Sequence, residues 1–391
     1  SLPSPTTKLS SLHTTSVRPS RLGRSNPQAV DNDAPEICFC SNTSLLATMC
    51  DTEKFPVIDL STTDNWPIVL GDRILEACKT WGFMVLTGHG IPSASIDRMF
   101  ELHKAFIAQS KEIKSEAMID SRQIGYNSHR SIIGTADGMT FGGAKGEIIE
   151  GHNVPSWWDE KKRQEVEDFK TRAHALAMKL VEVFARSFGL PPEYFSDAHN
   201  DEIGPGSVLR MIHYPKLDHK LSADIPRCYA HTDWSTMAFV WPQSGGLEVE
   251  TPSKRWMEVP LIPGSVVVNI GDAMSLWSGQ TLKSTLHRVS FDKVPIDQER
   301  WSMVYFLNAN TDAKLEVLKR DSHGKLKSGS DMPSLTMGEY HQVRMILTQG
   351  EEAKKKWLAQ SNASAEAFQK YVSAVESIGI ANGTGIVDLK A

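Results

Sequence analysis

The sequence predicts an α+β protein with a mainly β core that is flanked by helices. Between about residues 207 and 307, short runs rich in β-branched and aromatic residues alternate with Gly, Pro and Asp turns, a pattern typical of a sandwich or barrel. From about Glu160 to Phe188, apolar residues recur every three or four positions, which predicts one long helix with a core-facing stripe. A chain of 391 residues with 40% hydrophobic side chains can fill one large core, so both patterns fit a single structural unit.

The segment before the long helix alternates between predicted strands and helices. These elements are, in order, a strand from Val57 to Leu60, a helix through Ile74, Cys78 and Trp81, a strand from Phe83 to Leu86, and a helix beginning at Ser93. The long helix should end before Pro191, because proline cannot continue a helix.

The core strands are predicted from short apolar runs bounded by turn residues. They are Val208 to Tyr214, Thr236 to Trp241, Leu247 to Glu250, Val266 to Ile270, Ser284 to Phe291 and Trp301 to Leu307. Helical spacing returns from about Thr336, with one apolar face formed by Phe368, Tyr371, Val372 and Val375.

Residues 1–50 differ from the rest of the chain, since Ser, Thr, Pro and Arg dominate and no acidic residue precedes Asp31. Such a segment cannot bury enough apolar surface to offset its ordering entropy, so we expect a disordered leader. Its composition resembles a transit peptide. The interpretation we favour is an upstream extension before a start at Met49, and we therefore expect a cytoplasmic protein, with organelle targeting by residues 1–48 as the alternative.

The bulk composition argues against several classes of protein. A net charge of -5, from 42 basic and 47 acidic residues, gives no basic field for nucleic acid. No run approaches eighteen uninterrupted apolar residues, so we predict no membrane partner. Five cysteines are too few for a disulfide framework, and we expect free thiols in a reducing compartment.

The pattern that constrains function most is formed by His231, Asp233 and His287. Two histidines and one carboxylate are the donor set of a mononuclear ferrous site, which leaves positions open for chemistry. His231 and Asp233 precede an aromatic and β-branched run, so we expect them at the mouth of a strand, where alternate residues share a face. A similar His199-Asn-Asp201 pattern lies in a turn-rich stretch and serves as a decoy.

A second pattern lies thirteen residues after His287, at Arg300 and Ser302. On a strand these two residues share one face with Val304 and Phe306. A guanidinium offers a fork that matches a carboxylate, and a hydroxyl two residues on can bond its second oxygen. The sequence therefore predicts a carboxylate clamp beside the iron site.

These residues lie in runs that resemble the non-haem iron, 2-oxoglutarate-dependent dioxygenases of the isopenicillin N synthase-like superfamily. The resemblance covers roughly residues 54 to 350. It is carried by Phe55 to Leu60, Trp81 to Pro92, Gly125 with Tyr126, Leu209 to Pro215, Ala230 to Asp233, Gly245 to Leu247, Pro263 to Asp272, Lys283 to Val289, and Arg300 to Ser302.

The resemblance implies a double-stranded β-helix, or jelly roll, over residues 201–320, an N-terminal mixed region over 54–200, and C-terminal helices over 330–391. It implies that His231, Asp233 and His287 bind Fe(II), that Arg300 and Ser302 bind the distal carboxylate of 2-oxoglutarate, and that Tyr214 contacts its other end. Dioxygen is the oxidant, and ascorbate should help in vitro.

One departure from plant members of the family concerns the run Asn-Tyr-Tyr-Pro, where this chain has Ile212-His-Tyr-Pro215. The asparagine contact to the co-substrate is therefore absent. By strand alternation His213 faces away from Tyr214, so we expect a packing histidine with satisfied hydrogen bonds.

The substrate is expected to be small and largely apolar, because the candidate wall residues are aromatic. Phe306 is the first choice, followed by Trp234 and Tyr126. The resemblance points to hydroxylation, desaturation or ring rearrangement in specialised metabolism. Two alternatives stay open here, namely an oxidase like isopenicillin N synthase that does not use 2-oxoglutarate, and a catalytically silent metal-binding module.

Overall fold

The computed structural model describes residues 53–128, 136–203, 206–218, 226–320, 326–328, 335–349, 355 and 372–373. The predicted leader lies outside the described residues, as does most of the predicted helical tail. Val372, which belongs to that tail, is helical and buried in the core.

The helices and strands alternate in the N-terminal part of the chain, and strands dominate after residue 207. The α-helices are α1 (Trp66–Val69), α2 (Gly71–Thr80), α3 (Ser93–Ile107), α4 (Lys111–Lys114), α5 (Glu147–Glu150), α6 (Glu160–Ser187), α7 (Asp272–Trp277) and α8 (Met337–Gln349), with 3-10 turns at Leu60–Thr62, Ser115–Ala117 and Ser196–His199. The strands are β1 (Val57–Asp59), β2 (Phe83–Thr87), β3 (Gly125–Asn127), β4 (Asp137–Phe141), β5 (Val208–Tyr214), β6 (Cys228–His231), β7 (Met237–Pro242), β8 (Leu247–Glu250), β9 (Trp256–Glu258), β10 (Val266–Ile270), β11 (His287–Val289), β12 (Arg300–Leu307), β13 (Lys314–Leu315), β14 (Leu318–Arg320), β15 (Leu326–Ser328) and β16 (Leu335–Thr336).

A large sheet and a small sheet form the core. The large sheet has the order β1-β2-β10-β7-β12-β5-β4-β3, and the small sheet has the order β6-β11-β8-β9. All neighbours are antiparallel except β1 and β2. Phe83 and Val267 of the large sheet pack against Leu247 and Val249 of the small one, so the two sheets enclose an inner face. This is the predicted jelly roll.

The outer face of the large sheet is covered by helices. Met211 and Met303 lie on this face in a core cluster that includes residues of α3 and α6. Phe169 of α6 packs edge-on against Trp241 at 5.0 Å between ring centroids. Because side chains alternate along each strand, the neighbours of these outer residues point to the inner face, which carries the site.

The long helix predicted from apolar periodicity is confirmed as α6. It begins after Asp159, whose side chain accepts a hydrogen bond from the Lys162 amide at 3.0 Å and so satisfies one of the free donors of the first turn. It ends before Gly189, which has a φ of 71° that only glycine adopts without strain.

Some strand predictions were wrong in extent. The strand predicted from Ser284 to Phe291 is only His287–Val289, because the Thr285 hydroxyl donates to the Trp81 carbonyl and a turn closes between Ser290 and Val294. Strands β3, β4, β6, β9 and β13 to β16 were missed, since they are short and lack a clear apolar alternation. No helix among the described residues is long and apolar enough to cross a bilayer.

Candidate metal centre

Three donor side chains converge at the end of the small sheet. One ligand atom each of His231, Asp233 and His287 lies within 4.8 Å of the others. The Nε2 atoms of both histidines are 3.7 Å from the same oxygen, Oδ1 of Asp233. Residues His231 and His287 face each other across the β6–β11 ladder, so strand pairing sets their separation.

Both imidazoles are oriented by the backbone. Nδ1 of His231 donates to the carbonyl of Tyr229 at 2.8 Å, and Nδ1 of His287 donates to the carbonyl of Thr285 at 3.2 Å. A carbonyl can only accept, so each ring keeps Nε2 as a lone-pair donor toward the centre. Burial lowers the pKa of His287 to about 4, so this ring is neutral at pH 7. Although burial opposes it, Cys228 and Asp233 raise the pKa of His231 to about 10, so this ring releases its Nε2 proton when it binds a metal.

The carboxylate is held in one orientation by Asn269 of β10. Nδ2 of Asn269 donates to Oδ2 of Asp233 at 2.8 Å, which leaves Oδ1 toward the two histidines. Once His231 has released its Nε2 proton, two imidazole nitrogens and one carboxylate oxygen form the donor set that suits ferrous iron with open coordination positions. The residues present therefore fit this metal.

The loop that carries Asp233 is tied to α7. The amide of Asp272 donates to the Asp233 carbonyl at 2.7 Å, and Oδ2 of Asp272 accepts from Thr232 Oγ1 at 2.9 Å. The preceding residue must be small, because a Cβ on Gly271 would lie 1.9 Å from the Ser235 carbonyl oxygen.

The same loop is also linked to the C-terminal helix. Arg344 of α8 pairs with Asp272 at 2.9 Å and lies over the Trp234 ring at 5.2 Å. Trp234 thus packs against α8 and connects the loop to this helix.

A buried cation lies at the far end of the inner face. Arg300, the first residue of β12, is 2% exposed. Its Nε donates to the Gly245 carbonyl at 3.0 Å and its Nη1 to Ser302 Oγ at 3.0 Å. Tyr214 is its register partner on β5, with the guanidinium 5.5 Å from the ring centroid.

The charge of the Arg300 guanidinium favours an anionic ligand. Burial lowers the pKa of Arg300 from its ordinary value, yet a guanidinium stays protonated in proteins. No carboxylate of the described residues pairs with it. Burial raises the pKa of Tyr214, so its phenol is neutral and can donate. The arrangement suits a carboxylate clamp.

Phe306 lies on the inner face of β12, as alternation predicts. It is half-buried, and the guanidinium of Arg210 lies 5.6 Å from its ring centroid. The structure therefore keeps Phe306 as a candidate wall residue.

Tyr126 does not lie with the metal donors, the clamp and Phe306. Its ring packs edge-on against Phe106 of α3 at 5.8 Å, and its hydroxyl is 3.5 Å from Asp137. It belongs to the helix-facing core, on the side of the sheet opposite the donors. Short strands β3 and β4 were not predicted, and their register alone decides which way Tyr126 points.

His199 and His213, the two histidines that we expected outside the metal site, both make contacts within the fold. Both ring nitrogens of His199 are hydrogen-bonded, to the Phe195 carbonyl at 2.6 Å and to Thr236 Oγ1 at 2.9 Å. His213 is 2.9 Å from Asp137 and stacks on Trp301 at 3.8 Å, which agrees with a packing role. The expectation that its hydrogen bonds are satisfied was wrong for Nε2, which has no hydrogen-bond partner among the described residues. Cys78 and Cys228 are free and buried, whereas the other three cysteines lie outside the described residues.

One detail of the metal prediction was wrong. His231 is the last residue of β6, and Asp233 lies in the connection before β7, which begins at Met237. The two ligands therefore do not alternate along one strand. Their ligand atoms nevertheless converge with that of His287.

Sequence reasoning missed several supporting residues. Asn269 interrupts a run of valines in β10, which was a usable signal for a polar contact. Arg210 is four residues before Tyr214, so alternation alone could have placed it on the inner face. Asp272 and Arg344 meet only through tertiary packing, and no local pattern marks them.

Comparison with known proteins agrees with this geometry. The model of the 2OG-Fe(II) oxygenase superfamily matches residues 205–309, and that of the non-haem dioxygenase in morphine synthesis N-terminal region matches residues 55–170. UPF0676 protein C1494.01 of Schizosaccharomyces pombe is 30% identical over 321 residues, which cover 78% of this chain and 95% of the relative. The 2-oxoglutarate-dependent dioxygenase tropC of Talaromyces stipitatus is 27% identical over 314 residues, covering 72% and 90% respectively.

Solved structures show the same fold. Neurospora crassa T7H in complex with alpha-KG and 5-formyluracil has a TM-score of 0.64 at 24% identity, covering 75% of this chain and 96% of that chain. The rice dioxygenase for auxin oxidation has a TM-score of 0.61 at 24% identity, covering 76% and 96%.

The jelly roll, the donor set on it and the two family matches lead to one assignment. The chain belongs to the 2OG-Fe(II) oxygenase superfamily and is a 2-oxoglutarate-dependent dioxygenase that uses Fe(II) and O2.

Proposed function

We propose that His231, Asp233 and His287 bind the ferrous ion, and that Arg300, Ser302 and Tyr214 bind 2-oxoglutarate. One observation carries this proposal. A buried guanidinium without an anionic partner among the described residues shares the inside of the jelly roll with three convergent metal donors. The three donors suit a cation and Arg300 suits an anion, and these are the charges that Fe(II) and 2-oxoglutarate carry.

The bound iron and 2-oxoglutarate supply oxidative decarboxylation by dioxygen, coupled to oxidation of a substrate C-H bond. The protein's own part is placement. Asn269 and the two backbone carbonyls fix the ligand atoms, and Arg300 with Ser302 gives a carboxylate two points of attachment. The Tyr214 hydroxyl contacts the other end of the co-substrate.

We further propose that the prime substrate is small and largely apolar. Val208, Ile212, Val304 and Phe306 lie on the inner face of β5 and β12, and such a surface binds hydrocarbon while excluding water. The name of the rice relative states auxin oxidation, which is small-molecule chemistry. The reaction would be a hydroxylation, desaturation or ring rearrangement in specialised metabolism.

The test is a 2-oxoglutarate consumption assay with Fe(II) and ascorbate, in which succinate is measured against a panel of small apolar molecules. We expect iron-dependent succinate that a substrate stimulates. Substrate oxidation without succinate would identify an oxidase instead. Equal succinate formation by the Asp233→Ala variant would overturn the ligand assignment.

A further inference from the structure

Arg210 is a second arginine on the inner face, four residues from Tyr214 on β5. Its register partners are Val304 on β12 and Thr140 on β4. The row continues from Val304 through Val240 and Val267 to Val85. A cation therefore lies beside a row of four valines on the inner face of the sheet.

The guanidinium of Arg210 has few partners. Nε donates to Thr140 Oγ1 at 3.3 Å, and the Phe306 ring lies 5.6 Å away. No acceptor among the described residues takes the four N-H groups on Nη1 and Nη2, and no carboxylate of those residues lies within ion-pair distance. Such a charge is costly unless it is compensated.

Another arginine shows what a structural arginine looks like in this protein. Arg227 is fully buried and donates to the carbonyls of Val294, Pro295 and Gln298 at 3.1, 2.6 and 3.0 Å. It also lies over the Phe291 ring at 5.0 Å. Its donors are used by the fold, whereas Nη1 and Nη2 of Arg210 have no acceptor among the described residues.

The charge balance of the site, if it binds iron and 2-oxoglutarate as proposed, also favours a negatively charged substrate. Asp233 and 2-oxoglutarate together carry three negative charges, which the ferrous ion and Arg300 offset. Arg210 is then left with its positive charge. Burial lowers the pKa of Arg210, and the charge of Asp233 raises it, so the guanidinium lies within electrostatic reach of this iron ligand.

We propose that Arg210 is a specificity-determining residue that binds a carboxylate of the prime substrate. The substrate class is a small organic acid whose apolar body lies on Phe306 while its carboxylate bonds the free Nη1 and Nη2 donors. This rests on the proposed function and deepens it.

The test is equilibrium binding under anaerobic conditions, which separates recognition from turnover. The Fe(II)-loaded protein, with and without 2-oxoglutarate, is titrated calorimetrically with phenylacetate against phenylacetamide, and with cyclohexylacetate against cyclohexylacetamide. We expect at least one acid to bind about ten- to a hundred-fold more tightly than its amide, the ratio expected for charge-assisted hydrogen bonds.

Three variants control the result. Arg210→Gln should abolish the preference for the acid, and Arg210→Lys should retain part of it. Arg98→Gln, the same change at an exposed ion pair on α3, should leave it intact. The melting temperature of each variant verifies folding.

The proposal is overturned if the wild type shows no preference for either acid, or if Arg210→Gln keeps that preference. It is also overturned if Arg210→Gln weakens 2-oxoglutarate binding as much as a change at Arg300, since Arg210 would then belong to the co-substrate clamp. Succinate formation in air is measured separately. A protein that binds acids through Arg210 and forms no succinate would contradict the proposed function and leave the proposal for Arg210 standing.

Discussion

The two faces of the large sheet differ in kind although the same strands form both. On the outer face, Leu209, Met211, Met303 and Tyr305 are completely buried under helices. On the inner face, Val208, Arg210, Ile212 and Phe306 are half-buried. The outer face holds the fold together, and the inner face is left partly open for ligands. Because side chains alternate, one strand serves both purposes, and single substitutions can separate them.

The largest expected effect is the loss of turnover when an inner donor is removed. His231→Ala, Asp233→Ala, His287→Ala and Asp233→Asn should each abolish iron-dependent succinate formation while the protein stays folded, since Asp233 is the only anionic ligand. Iron content, succinate and melting temperature are the measurements.

A matched control for this prediction is His199→Ala, which removes a histidine of similar local sequence that the fold uses. This variant should lose stability and keep iron. Near-normal iron affinity and activity in any of the four donor variants would show that the triad is misassigned.

The next effect contrasts neighbouring residues of β12. Met303→Ala, on the outer face, should cost about 2 to 5 kcal/mol of folding free energy, as deletions in a packed core do. Activity per folded molecule should be unchanged. Phe306→Ala should cost less stability and should raise 2-oxoglutarate decarboxylation without product, because a loosened substrate no longer presents its C-H bond correctly.

Chemical denaturation and the ratio of succinate to product distinguish the two variants. If Phe306→Ala lost about 3 to 5 kcal/mol with a normal ratio, Phe306 would be ordinary core, and the contrast between the faces would not hold at this position.

A smaller effect is expected at the clamp. Arg300→Lys should raise the apparent 2-oxoglutarate requirement about ten- to a hundred-fold, which corresponds to the loss of about 1.5 to 3 kcal/mol from a charged hydrogen-bonding interaction. An ammonium cannot reproduce the two-point geometry. Steady-state kinetics in 2-oxoglutarate measure this, and an unchanged requirement would argue against Arg300 as the clamp.

The smallest effect concerns a residue outside both faces. Arg344→Met should weaken iron binding about tenfold, the lower end for groups that orient metal ligands, because Asp272 would lose its partner beside the metal loop. Arg186→Met, which breaks an exposed pair with Glu182 on α6, should change nothing measurable. Competitive chelator titration of both variants checks this, and equal iron affinity in the two would mean that the link to α8 is purely structural.

Much of this molecule could be predicted from sequence, for identifiable reasons. Long or strongly patterned elements such as α6 and β12 carry enough periodicity to fix their type. The convergence of His231, Asp233 and His287 was predicted, because two histidines and a carboxylate beside predicted strands suggested a common site, whereas their metal-binding role stays a prediction. The orientation of Tyr126 was not, since it depends on β3 and β4, which have no periodic signal.

Residues that act through tertiary contacts were also beyond local patterns. The pairing of Asp272 with Arg344 joins segments far apart in the chain. Arg210 is a different case. Its strand was predicted correctly, and only the consequence of its position beside Tyr214 was overlooked.

The ion pair between α7 and α8 bears on the order of events during synthesis. All strands of the two sheets precede residue 308, so the jelly roll can close while the chain behind it is still on the ribosome. Arg344 emerges later, and only then does Asp272, which supports the Asp233 loop, gain its counter-charge. The support of the metal loop is therefore completed only after α8 has been made, and we expect a chain that ends before α8 to bind iron more weakly.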